Sequence, residues 1–238
     1  MSQAIGTRSE SRFFLIMAIV PVAILFVGFA PSFYLKGLIP APVPPLSLLT
    51  TVHGIVYTLW MALFITQAAL IHNGRPAAHR QLGMMGVLLF GIMVTLGFWT
   101  AVTAGRLGHA PPGAPEPLAF MALPLFGITG SLVLVAMALW NRRYSDWHKR
   151  LMLATMLSVT PPGTGRILIA AGLGNPHLAL IVSDLLLFVA MGYDYANTRR
   201  IHPAYWYALG ILIAVQVLVA WAFASPTWLT IAQALTQG

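Results

Sequence analysis

The chain has 238 residues, of which 58% are hydrophobic and only 8% charged, and it contains no cysteine. Soluble domains carry about 25% charged residues, so this composition excludes a soluble enzyme, a disordered chain, a disulfide scaffold and any thiolate chemistry. The formal net charge of +8 would suit nucleic acid, but the charges fall in short clusters between long apolar runs. That distribution is the mark of a multi-pass membrane protein, and nucleic acid is not needed to explain it.

Apolar runs of about 20 residues, the length a bilayer requires, occur seven times. They predict spans at Phe13–Leu35, Leu46–Ile71, Gln81–Thr103, Pro117–Trp140, His148–Gly172, Pro176–Thr198 and Pro203–Ser225. The first reads as an uncleaved span rather than a signal peptide. Its apolar stretch is too long, and Pro31 follows the one small-residue cleavage candidate, Ala30.

Basic residues set the expected orientation. Ten of the 13 lie at the N-terminus and in alternate loops, as Arg8, Arg12, Arg75, Arg80, Arg142, Arg143, Lys149, Arg150, Arg199 and Arg200. Only Lys36, Arg106 and Arg166 fall on the other side. The expectation is an all-α membrane protein forming one domain over residues 1–238. It has seven transmembrane helices, a cytoplasmic N-terminus and an outside C-terminus. The opposite loops, at residues 37–47 and 105–117, are proline-rich and predict stiff, extended connections.

Three of the basic turns look alike. Asn73 precedes Arg75 and His79, Asn141 precedes Arg142 and His148, and Asn197 precedes Arg199 and His202. Asparagine suits a helix C-terminus and arginine the negative end of the helix dipole. The pattern predicts one helix followed by three repeated hairpins, although capping and topology alone would also produce it.

The stretches HGIVYTLWMALFITQ from His53, RPAAHRQLG from Arg75, WHKRLMLAT from Trp147 and RRIHPAYW from Arg199 resemble a family of uncharacterised bacterial multi-pass proteins of the inner membrane. The resemblance covers spans two to seven. It implies a bacterial inner (cytoplasmic) membrane and transfers no catalytic residue.

Ionisable side chains within a span cost about 2.5–3.5 kcal/mol on insertion scales and are functional candidates by default. Three stand out: His53, Arg166 and Asp184. At 1.5 Å per residue, all three lie about 10 Å from the outer ends of their spans. Arg166 with Asp184 is the expected ion pair, serving either as a strut between helices or as part of a ligand or proton site. The run Thr160-Pro161-Pro162-Gly163-Thr164-Gly165 interrupts span five just before Arg166, and irregular backbone at that depth favours a lined cavity. His53, Tyr57, Trp60, Phe64 and Gln67 share one helical face. The expected ligand-binding set is therefore His53, Tyr57, Trp60, Arg166 and Asp184, in a polar cavity in the outer half.

On the inner side, His79, His148 and His202 are weak metal candidates, lacking the two-histidine spacing of one helix face. Asp194 is expected to pair with Arg199 or Arg200, and Gln216 to bond between helices. The leading function is binding or transport of a small ligand or proton, with membrane lipids as surroundings. The alternatives are a redox protein holding haem or quinone near His53 and Tyr57, and an assembly subunit with no chemistry of its own. No catalytic residue is assigned. The seventh span lacks the histidine pair of the adiponectin-receptor and ceramidase group and the lysine of a retinal protein.

Overall fold

The computed structural model describes residues 8–40, 45–111 and 113–237, so part of the first proline-rich loop, residues 41–44, lies outside the described residues. The described chain is helical. In order, α1 is Arg8–Phe29, followed by a π-turn at Ala30–Tyr34. Then come α2 (Leu48–His72), α3 (Pro76–Arg106), α4 (Pro117–Phe120), α5 (Ala122–Trp140), α6 (Ser145–Ser158) and α7 (Pro161–Ala170). The last three are α8 (Pro176–Thr198), α9 (Pro203–Phe223) and α10 (Pro226–Gln237).

Six segments, namely α1 with its π-turn, α2, α3, α4 to α5, α8 and α9, are long and apolar enough to cross a membrane. The expected fifth span is not one helix. Pro161 and Pro162 have no N–H to continue the helical ladder, so the segment divides into the 14-residue α6 and the 10-residue α7. Trp140, Thr198 and Phe223 close their helices within a few residues of the expected ends. The amphipathic α10 has no counterpart among the expected spans. It packs on α3, α4 and α9, where the Trp228 Nε1–H donates to the Leu118 carbonyl at 2.9 Å and Arg106 Nε to that of Thr236 at 2.9 Å.

Neighbouring contacts run α1, α2, α3, α5, α9, α8, and α7 closes the ring by packing on both α8 and α1. The helix inside this ring is α6, which touches α1, α5, α8 and α9. Leu151, Ala154 and Leu157 have no exposed surface, and Leu134, Leu187, Ala208 and Leu212 of the surrounding helices pack with them, while the equally buried Met156 joins Leu25, Trp60 and Phe90. The outward faces of the ring carry exposed leucine, isoleucine, valine and tryptophan, as lipid contact requires.

The basic turns gather at one end. Ser11 Oγ bonds His72 Nδ1 at 3.1 Å, Phe13 stacks on Tyr193 at 3.7 Å, and the His79 and His148 rings meet at 6.2 Å. The asparagines of the three similar turns also act alike. Asn73, Asn141 and Asn197 each donate their amide to the carbonyl four residues back, at 2.9, 2.8 and 2.7 Å.

Candidate functional site

The two halves of the bundle each contain a buried or half-buried polar cluster, and the two differ in how well they are satisfied. At the basic end, Arg150 of α6 holds Asp194 of α8 in a two-bond fork, Nη2 to Oδ1 at 2.6 Å and Nε to Oδ2 at 3.0 Å. Both side chains are about 5% exposed or less. The His202 backbone N–H completes the carboxylate at 3.1 Å. Lys149 bridges Glu10 of α1 and Asp146, each at 2.6 Å, and the Arg150 guanidinium lies 5.6 Å from the Tyr205 ring centre.

This corrects the expected pairing of Asp194 with Arg199 or Arg200. Those residues lie on the exposed turn after α8, whereas Asp194 is buried on the face turned to α6. Electrostatics outside the spans derive from the same cluster. The hydrogen bond from Lys149 holds the Asp146 carboxyl below the usual range. Burial, helped by the Arg150 charge, holds the His202 imidazole below its ordinary value.

The three histidines of the basic turns, His79, His148 and His202, do not converge on one point. His79 Nδ1 faces the Gln67 carbonyl at 3.4 Å and His148 Nδ1 the Ala138 carbonyl at 2.9 Å, each tying a helix back to the one before it. His202 instead accepts from the Ala204 N–H at 3.2 Å and packs edge-on against Trp147. Among the described residues no group of three or more potential ligands is placed to hold a metal.

In the opposite half, Pro31 sits in the π-turn that ends α1. The extra residue of such a turn rotates the side chains beyond it, and Phe33 comes to lie on Gly54 of α2 while the Tyr34 hydroxyl bonds Thr58 at 2.9 Å. Beside Gly54 and Thr58 on α2, His53 stacks on Tyr57 at 4.0 Å, and its Nδ1 meets the Thr100 hydroxyl of α3 at 3.3 Å. The Tyr57 hydroxyl rests on Gly97, where any Cβ would collide with it. Trp60 is buried against Phe90 at 5.0 Å, and its Nε1–H has no partner among the described residues.

Arg166 reaches this group through Phe29, which packs against the cluster that holds Trp60 and Tyr57. Its Nη1 donates to the Pro162 carbonyl at 3.0 Å, and the guanidinium lies 4.0 Å from the Phe29 ring centre. The side chain is exposed. Among the described residues no carboxylate lies within ion-pair distance of it.

The expected Arg166–Asp184 pair is therefore absent. Helix α7 turns Arg166 towards α1, while Asp184 accepts from Gln216 Nε2 of α9 at 2.8 Å. Gln216 thus bonds between helices, as expected. The other Asp184 oxygen, Oδ1, is buried without a donor among the described residues. Of the five expected ligand residues, the fold brings His53, Tyr57 and Trp60 together on α2 with Arg166 nearby, and leaves Asp184 on the α8–α9 side.

The buried fork is hidden in the sequence because Arg150 reads equally well as one of the topology charges. The chain has only five acidic residues, so Asp194, near the end of a span, is a marked candidate for an ion pair, but its partner is not specified by the sequence. A shallow groove of about 460 Å³ runs along α3 beside Leu88, Gly91, Thr95 and Trp99. A second concavity of about 330 Å³ lies between Arg106, Glu116 and Thr236.

The ring of long apolar helices, lipid-facing on its outside and paired in its charged interior, defines an integral multi-pass helical membrane protein. Comparison with protein families, curated proteins and solved structures gives no significant match, so no family is identified.

Proposed function

We propose that the protein sits in a bacterial inner membrane with its basic end in the cytoplasm, and that α6 and α7 together supply a seventh crossing. Positive-inside bias supports the orientation, since ten of the 13 basic residues lie at that end. On this reading it binds or transports a small anionic ligand entering from the outer side. Arg166 provides the charge, and His53, Tyr57 and Trp60 provide the wall of the site. Asp184 with Gln216 is a separate proton-exchanging group.

The observation that carries this reading is the unpaired Arg166. A cation within the bilayer that among the described residues has a carbonyl and an aromatic face for company retains most of its hydrogen-bonding donors for a guest. Guanidinium presents those donors in a fork matched to carboxylate or phosphate oxygens. Partial coverage by Phe29 lowers the local dielectric and strengthens any ionic contact made there.

The test is thermal unfolding of detergent-purified protein with acetate, benzoate and inorganic phosphate at fixed ionic strength. At least one anion stabilises the native chain and loses that effect in Arg166→Met, while Arg166→Lys retains part of it. Equal response of native and Arg166→Met protein to every anion would refute the reading.

A further inference from the structure

We infer that the break between α6 and α7 holds a monovalent cation, sodium being the best match, bound by the Ser183 hydroxyl and the backbone oxygens that Pro161 and Pro162 release. The inference does not depend on the anion reading, because it uses neither Arg166 nor the α2 wall.

Register places Ser183 at the break. Helix α8 runs antiparallel to α6 and α7, and two contacts pin it. Ala179 lies against Gly165 at 3.8 Å from the position of a Cβ there, and Asp194 holds Arg150. The two contacts are separated by the same number of residues on each side of the pairing. Ser183, one turn below Ala179 on the buried stripe Ala179, Ser183, Leu187, Ala190 and Asp194, is therefore level with Pro161.

The break is rich in acceptors and poor in donors. Prolines at 161 and 162 cannot bond the carbonyls of Leu157 and Ser158. The Leu157 carbonyl recovers a partner in the Thr160 N–H at 3.1 Å, and the next two amides, of Gly163 and Thr164, both turn to the Thr160 carbonyl at 3.0 and 3.2 Å. Among the described residues no backbone donor reaches the carbonyls of Ser158 or Val159.

Buried hydroxyls surround this gap. Apart from the Arg150–Asp194 pair and Ser225, every buried polar residue among those described is a serine or threonine of this layer: Ser131, Thr155, Thr160, Thr164 and Ser183. Four of them are bonded, Thr155, Thr160 and Thr164 each to the carbonyl four residues back and Ser131 to Ser158 at 2.8 Å. Ser183, 2% exposed, is not.

The buried Ser183 hydroxyl and the half-buried, unpaired carbonyls of Ser158 and Val159 at one depth offer oxygen lone pairs to a guest that accepts them. All the ligands are neutral oxygens, and Asp184 is turned away to Gln216. That set suits a singly charged hard cation, since divalent ions draw carboxylates into their shells. Unwound backbone in membrane helices is a known means of coordinating sodium.

The experiment compares unfolding midpoints of the full-length protein in sodium, potassium and choline chloride at equal ionic strength, with sodium titrated into choline. Sodium is expected to raise the midpoint saturably, potassium less and choline not at all. Ser183→Ala should unfold like the native chain in choline but lose about tenfold or more in apparent sodium affinity. Ser131→Ala, whose hydroxyl is already bonded, should lower the midpoint in all three salts yet keep the sodium response. Identical midpoints in the three salts, or a sodium response undiminished in Ser183→Ala, would overturn the inference, and either would mean that water fills the gap.

Discussion

Arg150 and Arg166 lie on the same interrupted segment, one in each half of the bundle, and their surroundings could hardly differ more. Arg150 is buried, forked onto Asp194 and flanked by Lys149, Glu10 and Asp146. Arg166 is exposed, with one carbonyl and one aromatic ring as neighbours. A buried charge whose every bond is met holds helices together and leaves nothing for a ligand. A charge at depth without a counter-ion is the one from which chemistry can be expected.

The contrast is broken most severely at the Arg150–Asp194 pair. Arg150→Met leaves Asp194 buried and uncompensated, which typically costs about 3–5 kcal/mol, and Asp194→Leu costs less because Glu10 and Asp146 stay within 3.8 and 3.4 Å of the guanidinium. Both should lower the unfolding midpoint, the first more sharply, and the double variant should recover much of the loss. Additive losses would show that the two do not act as a pair. Arg166→Met should leave the midpoint in anion-free buffer nearly unchanged, because it removes no ion pair.

Next in size is the contact that seats α7. The backbones of Gly28 and Gly163 touch so closely that a Cβ on Gly28 would collide with the Gly163 carbonyl, and one on Gly163 would lie 2.8 Å from Leu25 Cα. Backbone cannot yield as a flexible side chain does, so Gly28→Ala should destabilise by about 1–3 kcal/mol. It should also weaken anion binding, since it moves the segment that carries Arg166 and the helix that carries Phe29. A native-like anion response in Gly28→Ala would detach the site from this contact.

Smaller effects come from pH. His202 is held neutral in the fold, so its contribution is present above the ordinary imidazole value and lost as pH falls through the lower folded value. His202→Gln should therefore flatten the decline in stability between about pH 7 and 5. Asp146 is the smallest case. Its depressed carboxyl contributes above the ordinary carboxylate value, and the contribution is lost on further acidification. Because this side chain is largely exposed, Asp146→Asn should change the neutral-pH midpoint by well under about 1 kcal/mol. A larger loss would mean that Lys149 depends on it to reach Glu10.

Much of the fold is legible in the residues because bilayer thickness fixes span length and Asn-Arg turns mark span ends. Asn73 and Asn141 cap their helices, and Gln216 bonds across to α8. The broken fifth span is visible in Pro161-Pro162, but its place inside the ring is not. That place depends on which helices contact α6, information spread over five segments. The Arg166–Asp184 pairing fails for a related reason. Depth along a helix can be counted from sequence, whereas the direction a side chain faces after a helix break cannot. The π-turn at Ala30–Tyr34, which settles Phe33 and Tyr34 on α2, is a further rotation of the same kind.

The distinction between the two arginines is tested most directly by phenylglyoxal labelling of the purified protein, read by mass spectrometry at each arginine, with and without a stabilising anion. Arg166 should be modified in the folded protein and protected by the anion, whereas Arg150 should react only after unfolding. Equal labelling of Arg150 and Arg166 in the folded state, or labelling of Arg166 that no anion slows, would contradict that distinction.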